Sequence, residues 1–257
     1  MKASLVDLSA ILPGIRLFAG LDARALAELS RAGHVANLPK ARGIYATGEL
    51  PRALYYLLSG QVKVAVTSAD GGEKVIDIVH APQAFGVAEL FGQAPHVSSA
   101  ETVGPSVVMV IGREGVMRAI EHDAHLSMRL LQTVADRQTA IERDIAADCF
   151  QSGCEKVVDY LLRAAESAVG CGDGVTLDLA IPKYLLAARL GFTPETLSRI
   201  FRELSDDGLI EVHGRQVVLF GKLLRRYGRA MAPVPAASVQ KPRRAECGRF
   251  DQAPAWA

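Results

Sequence analysis

The 29 residues from Phe192 to Phe220, FTPETLSRIFRELSDDGLIEVHGRQVVLF, limit the folds open to this chain more than any other stretch. On a helix begun at Pro194, the side chains of Glu195, Ser198, Arg199 and Arg202 fall at i, i+3, i+4 and i+7 and gather on one polar stripe. Leu197, Ile200, Phe201 and Leu204 repeat that spacing and point almost directly away from it. Thr193 suits the N-cap and Pro194 the first turn, while Gly208 after Asp206 and Asp207 suits the stop. One face belongs in a core. The other carries two guanidiniums, a carboxylate and a hydroxyl, the groups that read base edges and phosphates. A solvated charged face would account for this helix alone, so its neighbours decide.

Upstream, IPKYLLAARLG reads as a second short helix, with Pro182 near its start, Ala187 and Ala188 where another helix can approach, and Gly191 to end it. The connection from Gly191 to Thr193 is short enough for a helix-turn-helix. Downstream, LIEVHGRQVVLF reads as two strands turned at His213-Gly214. Helix, tight turn, helix and hairpin form the pattern of a winged helix-turn-helix, whose second helix enters the DNA major groove. Arg199 has the donors for guanine, Glu195 the acceptor for a cytosine amino group, and Ser198 suits a thymine. Lys183, Thr193, Thr196, Arg202, His213 and Arg215 are the candidates for backbone phosphates, the last two at the wing tip.

With 257 residues, 49% of them hydrophobic and 22% charged, the chain has room for two cores. The net charge of +1 conceals a division: residues 181–257 hold 13 Lys and Arg against 7 Asp and Glu, so the basic excess sits with the helix-turn-helix. No apolar run reaches the length of a membrane span, and MKASLVDLSAILPGIRLFAG, interrupted by Asp7 and Pro13, lacks a signal-peptide pattern; we expect a cytoplasmic protein with no membrane partner. Cys149, Cys154, Cys171 and Cys247 form no regular framework and read as reduced thiols. No Walker loop, zinc-ligand helix or nucleophile elbow appears, which argues against an enzyme.

Between Leu17 and Val110, short apolar runs alternate with Gly, Pro and Asp. LYYLLSG, QVKVAVTS, EKVIDIV and SVVMVI have strand length and composition, and ADGG at 69–72 is a hairpin turn. Such spacing predicts a β-sandwich or jelly roll over 15–111, preceded by an amphipathic helix in LDARALAELSRAG with Leu26 and Leu29 inward and Gly33 as its cap. Over 112–150 helical spacing takes over. Leu131, Val134, Gln138, Ile141 and Ile145 alternate steps of three and four, the seam of a short coiled coil, and predict a dimerisation helix. Packing of this helix on its own sensor is the other reading. Residues 151–229 form the winged helix-turn-helix unit, entered through a helix over 155–168, the loop VGCGDG and the segment VTLDL; residues 230–257 lack periodicity and read as a disordered tail.

A β-rich sensor, a long helix and a C-terminal winged helix-turn-helix, in that order, resemble the Crp/Fnr superfamily of bacterial transcription regulators over roughly residues 15–225. LFAGLD, YYLLSGQVKV, GGEKVIDIV and IPKYLLAARLGFTPETLSRIFRELSDDGLI resemble most the branch that regulates denitrification and nitric oxide responses, the DNR type. The resemblance implies an α+β fold with a cyclic-nucleotide-binding-like jelly roll, and as partners double-stranded DNA, a second copy of the chain and RNA polymerase. PETLSR is similar to the Fnr-type recognition helix, which implies that Glu195, Ser198 and Arg199 read a TTGAT-like half-site.

The effector pocket implied by the resemblance comprises Phe85, Gly86, Val87, Glu89, Leu90, His96, Ser98 and Ser99. In cyclic-nucleotide-binding members a Glu closely follows a Gly, and an Arg-Ser pair comes about ten residues later. In FGVAELFGQAPHVSSAETVG, Val87 stands where the Glu is expected and no Arg occurs from Phe85 to Gly104, which argues against cyclic AMP. The first Cys is Cys149, which argues against the N-terminal iron–sulfur cluster of Fnr-type sensors. What remains is haem, which the DNR resemblance implies, with His96 or His125 as its ligand among His34, His80, His96, His122 and His125; a regulator without effector is the other reading. For the whole chain, a dimeric transcription factor stands against a regulatory sensor subunit without DNA binding, and the opposed faces of 195–204 favour the first.

Overall fold

The computed structural model describes residues 3–4, 7–92, 94–166, 174–179 and 181–227. The expected disordered tail, most of the VGCGDG loop, Cys171 and Cys247 lie outside the described residues. The chain opens with β1 (Ala3–Ser4), α1 (Leu8–Ile11), a 3-10 turn (Leu12–Gly14) and α2 (Ala23–Ala32). Strands β2 (Gly33–Leu38), β3 (Gly43–Tyr45), β4 (Ala53–Ser59), β5 (Gln61–Thr67), β6 (Glu73–His80) and β7 (Gln83–Phe85) follow, then α3 (Val87–Phe91), β8 (Ser99–Thr102) and β9 (Ser106–Gly112). Helices α4 (Arg113–His122), α5 (Ala124–Phe150) and α6 (Gly153–Glu166) lead to β10 (Gly174–Asp178), α7 (Lys183–Leu190), α8 (Pro194–Asp206), β11 (Ile210–His213), β12 (Gln216–Phe220) and α9 (Gly221–Tyr227).

Two antiparallel sheets, ordered β1-β2-β9-β4-β7 and β3-β8-β5-β6, make the N-terminal jelly roll. Strand alternation decides what each side chain covers. In β4, Tyr55 and Leu57 point into the sandwich with Val62, Val64 and Val79, whereas Leu54 and Tyr56 point outward beneath a helical layer with Leu29, Leu126 and Leu130. The expected helix in 21–33 forms as α2, capped by the Asp22 carboxylate accepting from the Ala25 N–H at 2.6 Å; Leu29 is fully buried and Leu26 packs half-buried against the same core.

The single helix expected over 112–150 is two helices. Asp123 is extended (φ −142°, ψ 103°), and its carboxylate accepts from the backbone N–H of His125 at 2.9 Å and of Asp22 at 3.0 Å. An aspartate that caps the next helix and holds a distant loop breaks a helical run that apolar spacing alone carries through. In β6, the partners of Val64 and Ala65 are Asp77 and Val75, so Ile76 is the extra residue of a bulge. The bulge offsets the alternation. Val75 and Ile78, three residues apart, both bury in the C-terminal core, while Val79 turns into the sandwich. The sensor hairpin thereby docks on the C-terminal unit, against α7.

That C-terminal unit has its own core of Val157, Leu161, Leu186, Leu197, Phe201, Val217 and Leu223. Ser152 and Glu155 form a reciprocal capping box at its entry, with N–H donors at 2.8 and 3.3 Å, so α6 begins two residues before the expected 155. Strands β10, β12 and β11 form a three-stranded sheet in which VTLDL pairs along β12.

Candidate nucleic-acid interface and effector cleft

Gly191, at φ +77°, ends α7 in the left-handed conformation that glycine adopts without strain, and the Phe192 N–H donates back to Ala187 at 2.8 Å. Two residues later the Thr193 hydroxyl accepts from the Thr196 N–H at 3.3 Å and starts α8. The helix then divides as its periodicity dictates. Leu197, Ile200, Phe201 and Leu204 are buried, and Glu195, Ser198, Arg199 and Arg202 stand in solvent.

On the exposed face the Arg199 guanidinium lies 4.0 Å from Glu203, a solvent-exposed pair too weak to hold it. Glu195 is kept below the ordinary carboxylate range by its own backbone N–H and then by the Thr193 hydroxyl, so it is an acceptor at neutral pH. The Ser198 hydroxyl donates to the Pro194 carbonyl at 2.8 Å. Arg202 makes no side-chain hydrogen bond or ion pair among the described residues.

The backbone-contact candidates fare unevenly. Arg215, expected at the wing tip, donates to the Leu179 carbonyl at 3.0 Å and sits 3.8 Å from Asp178, so its guanidinium ties the wing to β10. His213 lies 3.1 Å from the exposed Glu211. The Lys183 ammonium stands 5.6 Å from the Phe201 ring centroid. Tyr184, next to Lys183 in the first turn of α7, is an exposed aromatic that the sequence reading did not single out.

A cleft of about 1260 Å³ lies between the Gly14–Ala19 segment, the Phe85–Glu89 stretch and the inner face of α5. Of the expected pocket residues, Phe85, Gly86, Val87, Glu89 and Ser98 line it. Two others do not. Leu90 is fully buried in the core beneath the helices, and Ser99 sits in β8 with its hydroxyl donating to Ala65 at 3.4 Å. The loop sequence by itself holds no cation; Arg16, Arg129 and Arg137 reach the cleft from other elements.

His96 is 2% exposed, stacks on Tyr45 at 4.0 Å between centroids, and has both ring nitrogens buried without a partner among the described residues. Burial holds its pKa below the ordinary histidine value, outweighing the carboxylates of Glu89 and Glu49, so the ring is neutral. A neutral, buried imidazole whose nitrogens are free among the described residues has the chemistry of an axial iron ligand, but His96 is not among the residues that line the cleft. His125 does not fit. Its side chain is 87% exposed and bonds Asp123 at 2.9 Å, away from the cleft.

Helix α5 joins the units. Arg137 pairs with Asp77 of β6, Asp144 with Arg189 of α7 at 2.6 Å, and Asp148 with Lys156 of α6 at 2.7 Å. Of the expected seam, Val134 packs half-buried against the sensor core, and Gln138 and the exposed Ile141 line the cleft. Gln138 donates to Glu142 at 2.9 Å. Met128, Leu131 and Ile145 remain in solvent at 64, 59 and 58%.

Residues 35–123 match the cyclic nucleotide-binding domain family, and residues 155–227 match the Crp-like helix-turn-helix domain family. The chain is 26% identical over 213 residues to the CRP-like cAMP-activated global transcriptional regulator of Mycobacterium tuberculosis, covering 81% of this chain and 94% of that one. Among solved structures, a mutant of CooA from Carboxydothermus hydrogenoformans aligns with a TM-score of 0.70 at 15% identity, over 89% of this chain and 98% of that one. FixK2 from Bradyrhizobium japonicum aligns with a TM-score of 0.68 at 22% identity, over 79% and 98%. A jelly-roll sensor, a connecting helix and a winged helix-turn-helix thus define a Crp-like transcription regulator, not an enzyme. The chain belongs to the Crp/Fnr family. Among the described residues no helix is long and apolar enough to cross a membrane.

Proposed function

We propose that the protein is a homodimeric regulator that reads a TTGAT-N4-ATCAA-like palindrome with α8 and responds to an effector through its sensor. The observation that carries this is the division of α8, with four apolar side chains buried and Glu195, Ser198, Arg199 and Arg202 held in solvent on one stripe. Arg199 donates to guanine, Glu195 accepts from cytosine and Ser198 meets thymine. Arg202 and Thr196 hold phosphates, with Thr193, Lys183 and His213 at the edges of the contact. In a two-fold dimer the half-sites are centred about one helical turn of DNA apart. Met128, Leu131 and Ile145, together with the seam residues Val134, Gln138 and Ile141, supply the helix–helix contact, and the bound dimer acts on RNA polymerase. The helix-turn-helix match leaves a sensor subunit without DNA binding unfavoured. Salt-dependent anisotropy on the palindrome and on a scrambled duplex tests the reading; equal affinity for both would overturn it.

A finer reading places the chain in the DNR-like branch, responding to nitric oxide or redox state through haem. It rests on the quoted sequence stretches and on the free nitrogens of His96. Haem iron binds diatomic gases, and His96 would hold it as a neutral ligand. Absorption spectra of haem-supplied protein test it: stoichiometric uptake lost in His96→Ala supports the reading, and a protein indifferent to haem sinks it.

A further inference from the structure

The two walls of the cleft differ in charge. On the sensor side Glu89 contributes a carboxylate, and no Lys or Arg lies among the described residues from 85 to 104. On the helix side, Arg129 and Arg137 are eight residues apart, about 12 Å along the axis, with Thr133 on the same face between them. Arg129 donates only to backbone carbonyls of the N-terminal segment, Leu17 at 3.3 Å, Arg16 at 3.5 Å and Ala19. No carboxylate neutralises it among the described residues. Arg137 is neutralised by Asp77, which itself lines the cleft. A partly buried cation without a counter-ion is a place where an anion gains most.

We propose that the cleft binds a small molecule through an anionic group, a carboxylate or a phosphate, held by Arg129 and Arg137 of α5, and that this anion competes with Asp77 for Arg137. The proposal rests on reading the cleft as the effector site of the regulator. Asp77 follows the bulge of β6, and its neighbours Val75 and Ile78 are buried in the core of the DNA-binding unit. Releasing Asp77 therefore loosens the strand on which that unit is seated. A multiply charged anion reaches both arginines. A singly charged one pairs with Arg129 and leaves Asp77 on Arg137. Glu89 opposite accepts from a hydroxyl or amino group and disfavours a second anion at that end.

Calorimetric titration of the full-length protein with citrate, pyrophosphate and AMP tests this, with DNA anisotropy run in parallel. At least one probe should bind once per chain. Arg137→Gln and Arg129→Gln should each weaken that binding tenfold or more, and Asp77→Asn, which removes the competitor, should tighten it severalfold. Citrate separates a carboxylate preference from the phosphate preference of the other two. Should Arg129→Gln fail to fold by circular dichroism, the Arg137→Gln and Asp77→Asn arms decide alone. The proposal is overturned if no probe binds, if Arg137→Gln binds as well as wild type, or if Asp77→Asn brings no gain. If these anion effects hold while the palindrome goes unbound, the DNA-reading assignment fails and this one stands.

Discussion

Arg199 and Arg202 sit on one helix face, one turn apart, yet their expected roles differ in kind. Arg199→Ala removes a bidentate donor to guanine and should cost about 1–3 kcal/mol per half-site while relaxing the preference at that base. Arg202→Ala removes a phosphate contact and should weaken all sequences alike, flattening the salt dependence. Competition binding against single-base variants of the half-site separates the two; equal losses in both variants would show that neither reads a base. The division of α8 was legible in the sequence because a helix of fixed pitch sorts residues by spacing alone. The partners of Arg215 and His213 were not, since they depend on which carbonyl and which carboxylate the folded wing brings near. For the same reason the loop from Phe85 to Gly104 could not reveal that Arg129 and Arg137 face it from α5.

At the level of elements, α5 has two jobs and its faces divide accordingly. The inner face carries Leu126 and Leu130 into the sensor core, and the outer leaves Leu131 and Ile145 in solvent, two heptads apart. Leu131→Glu with Ile145→Glu would place four like charges in a two-helix contact, at several kcal/mol for the desolvated charges. Sedimentation should report monomers, which bind the full site poorly, with little gain over a half-site; a double variant that stays dimeric would place the interface elsewhere. Helical spacing runs unbroken through Asp123, so the end of α4 was hidden. It is set by a side chain bonding to the Asp22 backbone, 101 residues distant in sequence. The bulge at Ile76 was hidden in the same way, because EKVIDIV alternates well enough to read as a plain strand.

Across the whole molecule, sensor and DNA-binding unit share a core through Val75 and Ile78, with three ion pairs of α5 around it. Val75→Asp would put an unpaired carboxylate into that shared core and should undock the units. Amide exchange in α7 should then quicken while the β4–β9 amides stay protected; unchanged exchange in α7 would mean that the contact is not formed in solution. Cyclic AMP should leave DNA affinity unchanged despite the similarity to a cAMP-activated regulator. The Phe85–Ser99 wall carries no arginine for its phosphate, and its single charge cannot engage both Arg129 and Arg137, which lie about 12 Å apart along α5. A tenfold gain in anisotropy titrations with cyclic AMP would contradict this. The order of units was readable from the change between strand-like and helix-like periodicity, whereas their docking arises from contacts no local pattern encodes.

The central claim, that the exposed face of α8 reads bases as part of a two-fold dimer, is tested most directly by binding selection from random DNA with wild type and Arg199→Ala in parallel. Wild type should recover a palindrome with half-sites centred about one helical turn apart, TTGAT-N4-ATCAA or a close variant, and the variant should lose the guanine preference within it. Recovery of a non-palindromic motif, or an unchanged guanine preference in Arg199→Ala, would contradict it.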